Sequence, residues 1–195
     1  MSERSKNATG ELVIAEPLSV AELDAREELP DFLFFWGHAA KGPRLGSECL
    51  SQWYPASFIV NGICFHTAEH YMMWSKARLF DDEVVAEQIT GTREPARAKA
   101  LGRSVRNFDQ QTWEDERFGI VVEGSTAKFS QNTELGAFLL GTKNKVLVEA
   151  SPRDTIWGIG LGAANPNARI PARWRGLNLL GFALMKARAV LRKGG

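Results

Sequence analysis

Phe65 to Phe80 reads F-H-T-A-E-H-Y-M-M-W-S-K-A-R-L-F, the pattern of a helix that carries a carboxylate and an amine on its apolar side. Thr67 suits the N-cap, since its hydroxyl can accept from an N–H of the first turn. On a 3.6-residue period Glu69, Met73, Lys76 and Phe80 then align along one face. If that face is buried, each charge must be paired or driven toward neutrality, and this is how a protein prepares a proton donor or a nucleophilic amine. The acid and the amine are about two turns apart, roughly 10 Å of rise, so their heads are expected to flank a ligand rather than touch. The structural alternative is an intrahelical ion pair with a solvated rim.

Downstream the chain reads as helical: Asp82 to Ile89, Glu94 to Ser104, Trp113 to Asn132, Glu134 to Leu140 and Leu179 to Arg192. The dividers are Gly91, Asn107 to Asp109, Gly141 to Lys143 and the Gly/Pro/Asn-rich run Gly158 to Pro171. Upstream, Phe32 to Trp36 reads as an aromatic strand, and Phe58 to Val60 with Ile63 to Phe65 flank Asn61-Gly62, a strong hairpin signal. Strands are thus expected to be concentrated before residue 70. Residues 1–29 are Glu-, Ser- and Ala-rich and read as an extension, partly disordered or loosely docked, with a short helix at Val20 to Glu28 opened by Ser19 and Glu22. Residues 30–195 form the domain proper. The expected fold class is α+β, a predominantly helical single domain with a small N-terminal β-hairpin region.

A chain of 195 residues, 44% hydrophobic, can bury one sizeable core. Its 24 Lys and Arg against 23 acids leave a net charge of +1, which argues against a tight non-specific polyanion binder. Local basic clusters remain, Arg93, Arg97, Arg103 and Arg106, then Arg169, Arg173 and Arg175, and guanidinium groups suit a bidentate grip on phosphate. Cys49 and Cys64 are the only cysteines, neither in a C-x-x-C pair, and no signal peptide or long apolar run is visible. The reading is a reduced cytoplasmic protein without membrane association, redox chemistry or structural zinc.

His66, Glu69 and His70 spell H-T-A-E-H, the H-x-x-E-H pattern of inverted zinc proteases. That motif needs both histidines on one helix turn and a third ligand downstream. Thr67 as cap leaves His66 outside the helix, and His38 lies upstream, so no metal or other cofactor is expected and His70 reads as a packing or hydrogen-bonding residue. Gly158, Gly160 and Gly162 form G-I-G-L-G without dinucleotide-loop spacing. They mark either a turn-rich loop or one whose backbone approaches a phosphate. Asp154 precedes Trp157 at the entrance of that loop. With Trp53, Tyr54 and Trp113, the chain carries several flat side chains suited to stacking a base, although core packing is the competing fate of each.

Taken in order, Ser51-Gln52-Trp53-Tyr54-Pro55, Asn61-Gly62, T-A-E-H-Y through Lys76, Gly102-Arg103, Trp113, Ala127 to Phe129, Leu139 to Thr142, D-T-I-W-G-I-G-L at Asp154 to Leu161 and N-L-L-G at Asn178 to Gly181 resemble the NADAR or YbiA-like family. The resemblance runs from about residue 32 to 192. It implies a metal-free hydrolase of ribosyl N-glycosidic bonds, acting on ADP-ribose attached to guanine, on DNA or a nucleotide, or alternatively on ribosylamino-pyrimidine intermediates of riboflavin synthesis. A binding module for ADP-ribose without turnover is the reading from another class, and a transient nucleic-acid contact goes with the first. By the same resemblance Glu69, Lys76 and Asp154 are catalytic. Ser51, Gln52, Trp53 and Tyr54, with His70, Arg103 and Trp113, and Trp157, Gly158, Gly160 and Asn178 further on, contact substrate. Two departures are visible: Gln52-Trp53 stands where the common S-N-F-Y-P pattern has Asn-Phe, and W-G-I-G-L lacks the acid that some members carry after W-G. Breaking a ribosyl C–N bond develops positive charge at the anomeric carbon and requires a proton on the leaving nitrogen. Glu69 and Asp154 can divide those tasks, or Lys76 can attack and form a Schiff base with the opened sugar.

Overall fold

The computed structural model describes residues 5–6, 12–13, 19–28, 31–40 and 42–194. In chain order these form β1 (Ser5–Lys6), β2 (Leu12–Val13), α1 (Val20–Asp24), β3 (Phe32–Phe35), β4 (Phe58–Val60), β5 (Ile63–Phe65) and α2 (Ala68–Leu79), then α3 (Glu83–Thr90), α4 (Pro95–Arg103), α5 (Gln110–Gln131), α6 (Thr133–Gly141), β6 (Val146–Glu149) and α7 (Leu179–Gly194). This is the expected α+β class. Thr67 caps α2, its hydroxyl accepting from His70 N at 3.4 Å. Helix α5 starts three residues before the expected Trp113, because Asp109, read as a divider, is its N-cap and accepts from Thr112 N at 2.8 Å. Its polar first turn carries no apolar period to announce it.

Helix α5 packs against both α7 and α2, while α3 and α4 lie on α2. Gly102 lets α4 come close: a Cβ there would collide with the Met73 side chain of α2. Asn61 and Gly62, at φ 51° and 79°, turn the β4–β5 hairpin as their sequence demands. Phe58 and Phe65 of that hairpin meet Tyr71 of α2, and the Gln131 amide at the end of α5 bonds both backbone groups of Ile59, at 2.8 and 2.7 Å. The hairpin thus rests beside the helices.

Most strands do lie before residue 70, and β6 is a later one that the sequence pattern did not mark. It pairs in parallel with β3, from Phe32 opposite Val146 to Phe35 opposite Glu149, and α7 packs on it. Val146, Leu147 and Val148 are all buried. A parallel strand covered on both faces has no alternation to read, and four residues are too few for a period.

Ser19 caps α1 as expected, accepting from Glu22 N at 3.1 Å, and the helix ends at Asp24 rather than Glu28. Leu23 of α1 is fully buried, and the helix packs on the 3-10 turn Pro171–Arg173. The extension expected at residues 1–29 therefore adds a side chain to the core. Most of it before Ser19 lies outside the described residues. Cys49 is buried, Cys64 exposed, and both are free. Among the described residues no helix is long and apolar enough to cross a membrane.

Candidate active site

A cavity of about 170 Å³ opens where the Ser51 to Trp53 loop, the acid-and-amine face of α2, the end of α4, Trp113 of α5, the C-terminal end of β6, the Asp154 to Trp157 turn and Leu180 of α7 converge. The loop is fixed from two sides. Glu69 N donates to Gln52 O at 3.0 Å, so the first turn of α2 holds the loop directly. The fully buried Lys128 of α5 donates through Nζ to Cys49 O at 2.7 Å and Ser51 O at 2.9 Å. Burial pushes its amine down to about 7. Lys128→Met retains the stem but leaves two carbonyls without their donor. The variant is expected to lose about 1–3 kcal/mol of stability, read as a lower urea midpoint at unchanged m-value.

Glu69 is 2% exposed, and its Oε1 has no hydrogen-bond partner. Burial raises its pKa to about 7. Lys99, a hydrogen bond from the Trp53 side chain and Arg103 oppose the rise, and Asp154 adds to it. Glu149, the last residue of β6, also faces the cavity. Burial first, then Asp154 and Glu69, push its carboxyl up to about 8, and its Oε2 too is buried without a partner. Three carboxyl groups thus share one small volume with Lys76, Lys99 and Arg103, and burial holds Glu69 and Glu149 toward the protonated form near neutrality.

This has a consequence for stability. Both folded pKa values lie above the ordinary 4.5, so the native chain holds protons that the unfolded chain releases. The stabilisation from these groups is complete below pH 4.5 and is lost as pH rises through 7 and 8. Glu149→Gln is therefore expected to gain melting temperature relative to wild type between pH 6 and pH 9, measured as the difference of the two Tm–pH curves. A constant difference across that range would show that Glu149 is ordinarily ionised in the native state.

Lys76 Nζ donates to Gly102 O at 3.0 Å and sits 4.1 Å from the centre of the Phe108 ring and 5.5 Å from that of Trp113. The carbonyl and the rings favour an ammonium, yet burial outweighs them and lowers its pKa. Among the described residues no ion pair joins Glu69 to Lys76, so the two heads flank the cavity. Trp113, 9% exposed, is both core and cavity wall. Ser51, Gln52, Trp53, Arg103, Asp154 and Trp157 also line the cavity, and Gln52 Nε2 is buried there without a partner. Asp154 Oδ1 accepts from Ile156 N at 2.9 Å and Trp157 N at 2.8 Å, which fixes the turn that carries both Asp154 and Trp157.

Five of the residues assigned to substrate by resemblance stand elsewhere. Tyr54 lies outside the lining, its ring 5.6 Å from Lys128 Nζ. His70 is buried with Nδ1 2.8 Å from the Thr67 hydroxyl, and burial together with His66 lowers its pKa to about 4, so it stays neutral. Gly158 permits close packing, since a Cβ would meet Glu149 O at 2.8 Å, and Gly160, at φ 67°, would meet the Arg175 side chain at 2.9 Å. Gly158 and Gly160 thus pack against protein, whereas a Cβ at Gly162 would meet nothing. Asn178 is fully buried, accepts from Glu149 N at 3.0 Å and donates to Leu147 O at 3.0 Å. It acts on the site through β6, by fixing the strand end that carries Glu149.

The NADAR domain profile matches residues 34–192. An N-glycosidase of Acanthamoeba polyphaga mimivirus is 45% identical over 167 residues, covering 83% of this chain and 96% of that protein. A riboflavin biosynthesis protein of Vibrio vulnificus is 34% identical over 111 residues, 57% of this chain but 29% of that one. The solution structure of Escherichia coli YbiA superposes with a TM-score of 0.66 at 26% identity, covering 88% of this chain and 92% of its own. By domain match, sequence identity and fold, the chain belongs to the NADAR domain family.

Proposed function

We propose that the protein hydrolyses ribosyl N-glycosidic bonds and that its substrate is guanine carrying ADP-ribose, on DNA or as a nucleotide. The observation that carries the reading is the pair of buried carboxyl groups, Glu69 and Glu149, which retains a proton near neutrality at the wall of a cavity that also holds Lys76. The proton passes to the leaving nitrogen as the C–N bond breaks and its electron pair moves to that nitrogen. The ionised partner stabilises positive charge at the anomeric carbon and takes a proton from the attacking nucleophile, either water or the Lys76 amine. Buried groups of this kind cost stability, and binding without turnover does not require them. The mimivirus relative bears the name N-glycosidase, which supports the reaction class.

The cavity, at about 170 Å³, is smaller than the roughly 300–1,000 Å³ that encloses a drug-sized ligand. It suits the ribosyl group and the bond to be cut, with the rest of a larger substrate lying across the mouth beside Lys99 and Arg103. A second reading, cleavage of ribosylamino-pyrimidine precursors of riboflavin, is favoured by the Vibrio vulnificus relative. Incubation with guanine-linked ADP-ribose and, separately, with the ribosylamino-pyrimidines decides between them. Faster release of guanine is expected, and turnover of the pyrimidines alone would move the assignment to the second reading.

A further inference from the structure

Beside the catalytic cavity lies an open depression of about 380 Å³ whose walls include His38, Trp53, Pro55, His66, Arg93 and Pro95. Trp53 belongs to both walls. Its ring lies 5.6 Å from that of His38 at 44°, and 5.8 Å from the Nζ of Lys99, which lines the catalytic cavity. The lining joins aromatic, prolyl and basic side chains to Ala56, Ser57 and Thr67, and among the described residues no carboxylate contributes to it. Arg93 and His38 are exposed, and among the described residues neither forms an ion pair with an acid, whereas Arg106, beyond the C-terminal end of α4, is held by Asp82 at 2.8 Å. Arg93 stands just before α4, the helix that brings Lys99 and Arg103 to the catalytic mouth. A line of cations therefore runs from one depression to the other, past the indole they share. Flat rings with a guanidinium beside them match a heterocycle that bears a phosphate.

We propose that this depression is a second subsite, which takes a nucleoside phosphate unit joined to the ribosyl group being cleaved, its base against Trp53 and His38 and its phosphate on Arg93. The assignment rests on the ribosyl hydrolase reading for what occupies the neighbouring cavity, but the binding itself does not. The same chemistry is offered by the adenosine diphosphate half of the substrate and by a neighbouring nucleotide of a strand.

Calorimetric titration of the full chain with ADP, and separately with a short single-stranded deoxyoligonucleotide, tests the subsite. His38→Ala and Arg93→Ala, both at exposed positions, are each expected to weaken the probe that uses the site roughly 10-fold, the order of loss for one stacking ring or phosphate contact. Weaker ADP binding identifies the substrate's own distal half, and weaker binding of the oligonucleotide alone identifies a flanking nucleotide. Both variants should still turn over the smallest cleavable ribosyl substrate at the wild-type kcat/KM. Wild-type affinity for both probes in both variants, or no binding of either probe to the wild-type chain, overturns the proposal. If the variants weaken ADP binding while no ribosyl compound is hydrolysed by any form, the subsite stands and the hydrolase reading falls.

Discussion

Glu69→Gln folds as the wild-type chain does and hydrolyses its ribosyl substrate roughly 10²- to 10⁴-fold more slowly, the range for loss of a positioned proton-transfer group. Retained folding is expected because the carboxyl has an unpartnered buried oxygen and a pKa displaced mainly by burial, so a neutral amide of the same shape relieves a cost. The loss should fall on kcat, since the charge at the anomeric carbon exists in the transition state and not in the bound substrate. Asp154→Asn is expected to act in the same direction, with an added effect on KM because Oδ1 also fixes the turn that carries Trp157. In the wild-type enzyme kcat/KM should decline as pH rises beyond 8, where the Glu69–Glu149 pair gives up its remaining proton. Rates of Glu69→Gln within a factor of about three of wild type, against the 10²-fold lower bound, would remove Glu69 from the chemistry.

How far the site could be read from the sequence depended on the range of the contacts that build it. Glu69 and Lys76 were legible because both stand on one helix, where a 3.6-residue period fixes their shared face without reference to the rest of the chain. Glu149 was not, because β6 takes its meaning from β3, far upstream, and V-L-V-E is too short to show a period. A carboxylate directly after a continuous apolar run was the one local signal, and in a parallel strand that is the end where ligands collect. Lys128 had a clearer sign: with Arg117, Val121 and Gly124 it falls on the buried face of α5, where an amine requires partners. The glycine loop had two readings, a turn-rich loop or one that approaches a phosphate. The structure sets Gly158, Gly160 and Asn178 against Glu149 O, Arg175 and Leu147 O, and nothing local in G-I-G-L-G distinguishes a backbone that approaches a phosphate from one that packs on protein.

The largest effect is expected at Lys76. Its amine is held by Gly102 O, lies over Phe108 and near Trp113, and has its pKa lowered by burial, so a larger share of it is neutral at physiological pH than in a solvated lysine. In a covalent route the neutral amine attacks the anomeric carbon, the leaving nitrogen departs with the proton of the carboxyl pair, and the opened sugar forms an imine with Nζ. Water then hydrolyses the imine, which returns the free lysine and releases the ribosyl product. Borohydride present during turnover should reduce that imine to a stable secondary amine, found by peptide mass spectrometry on Lys76 and nowhere else. Lys76→Arg keeps a cation in place but has no amine able to form an imine, so adduct and hydrolysis should vanish together, a loss beyond that of Glu69→Gln. Should Lys76→Arg remain active while no adduct forms in wild type, the lysine serves as an electrostatic partner. Water activated by the carboxyl groups would then carry the reaction in a single displacement.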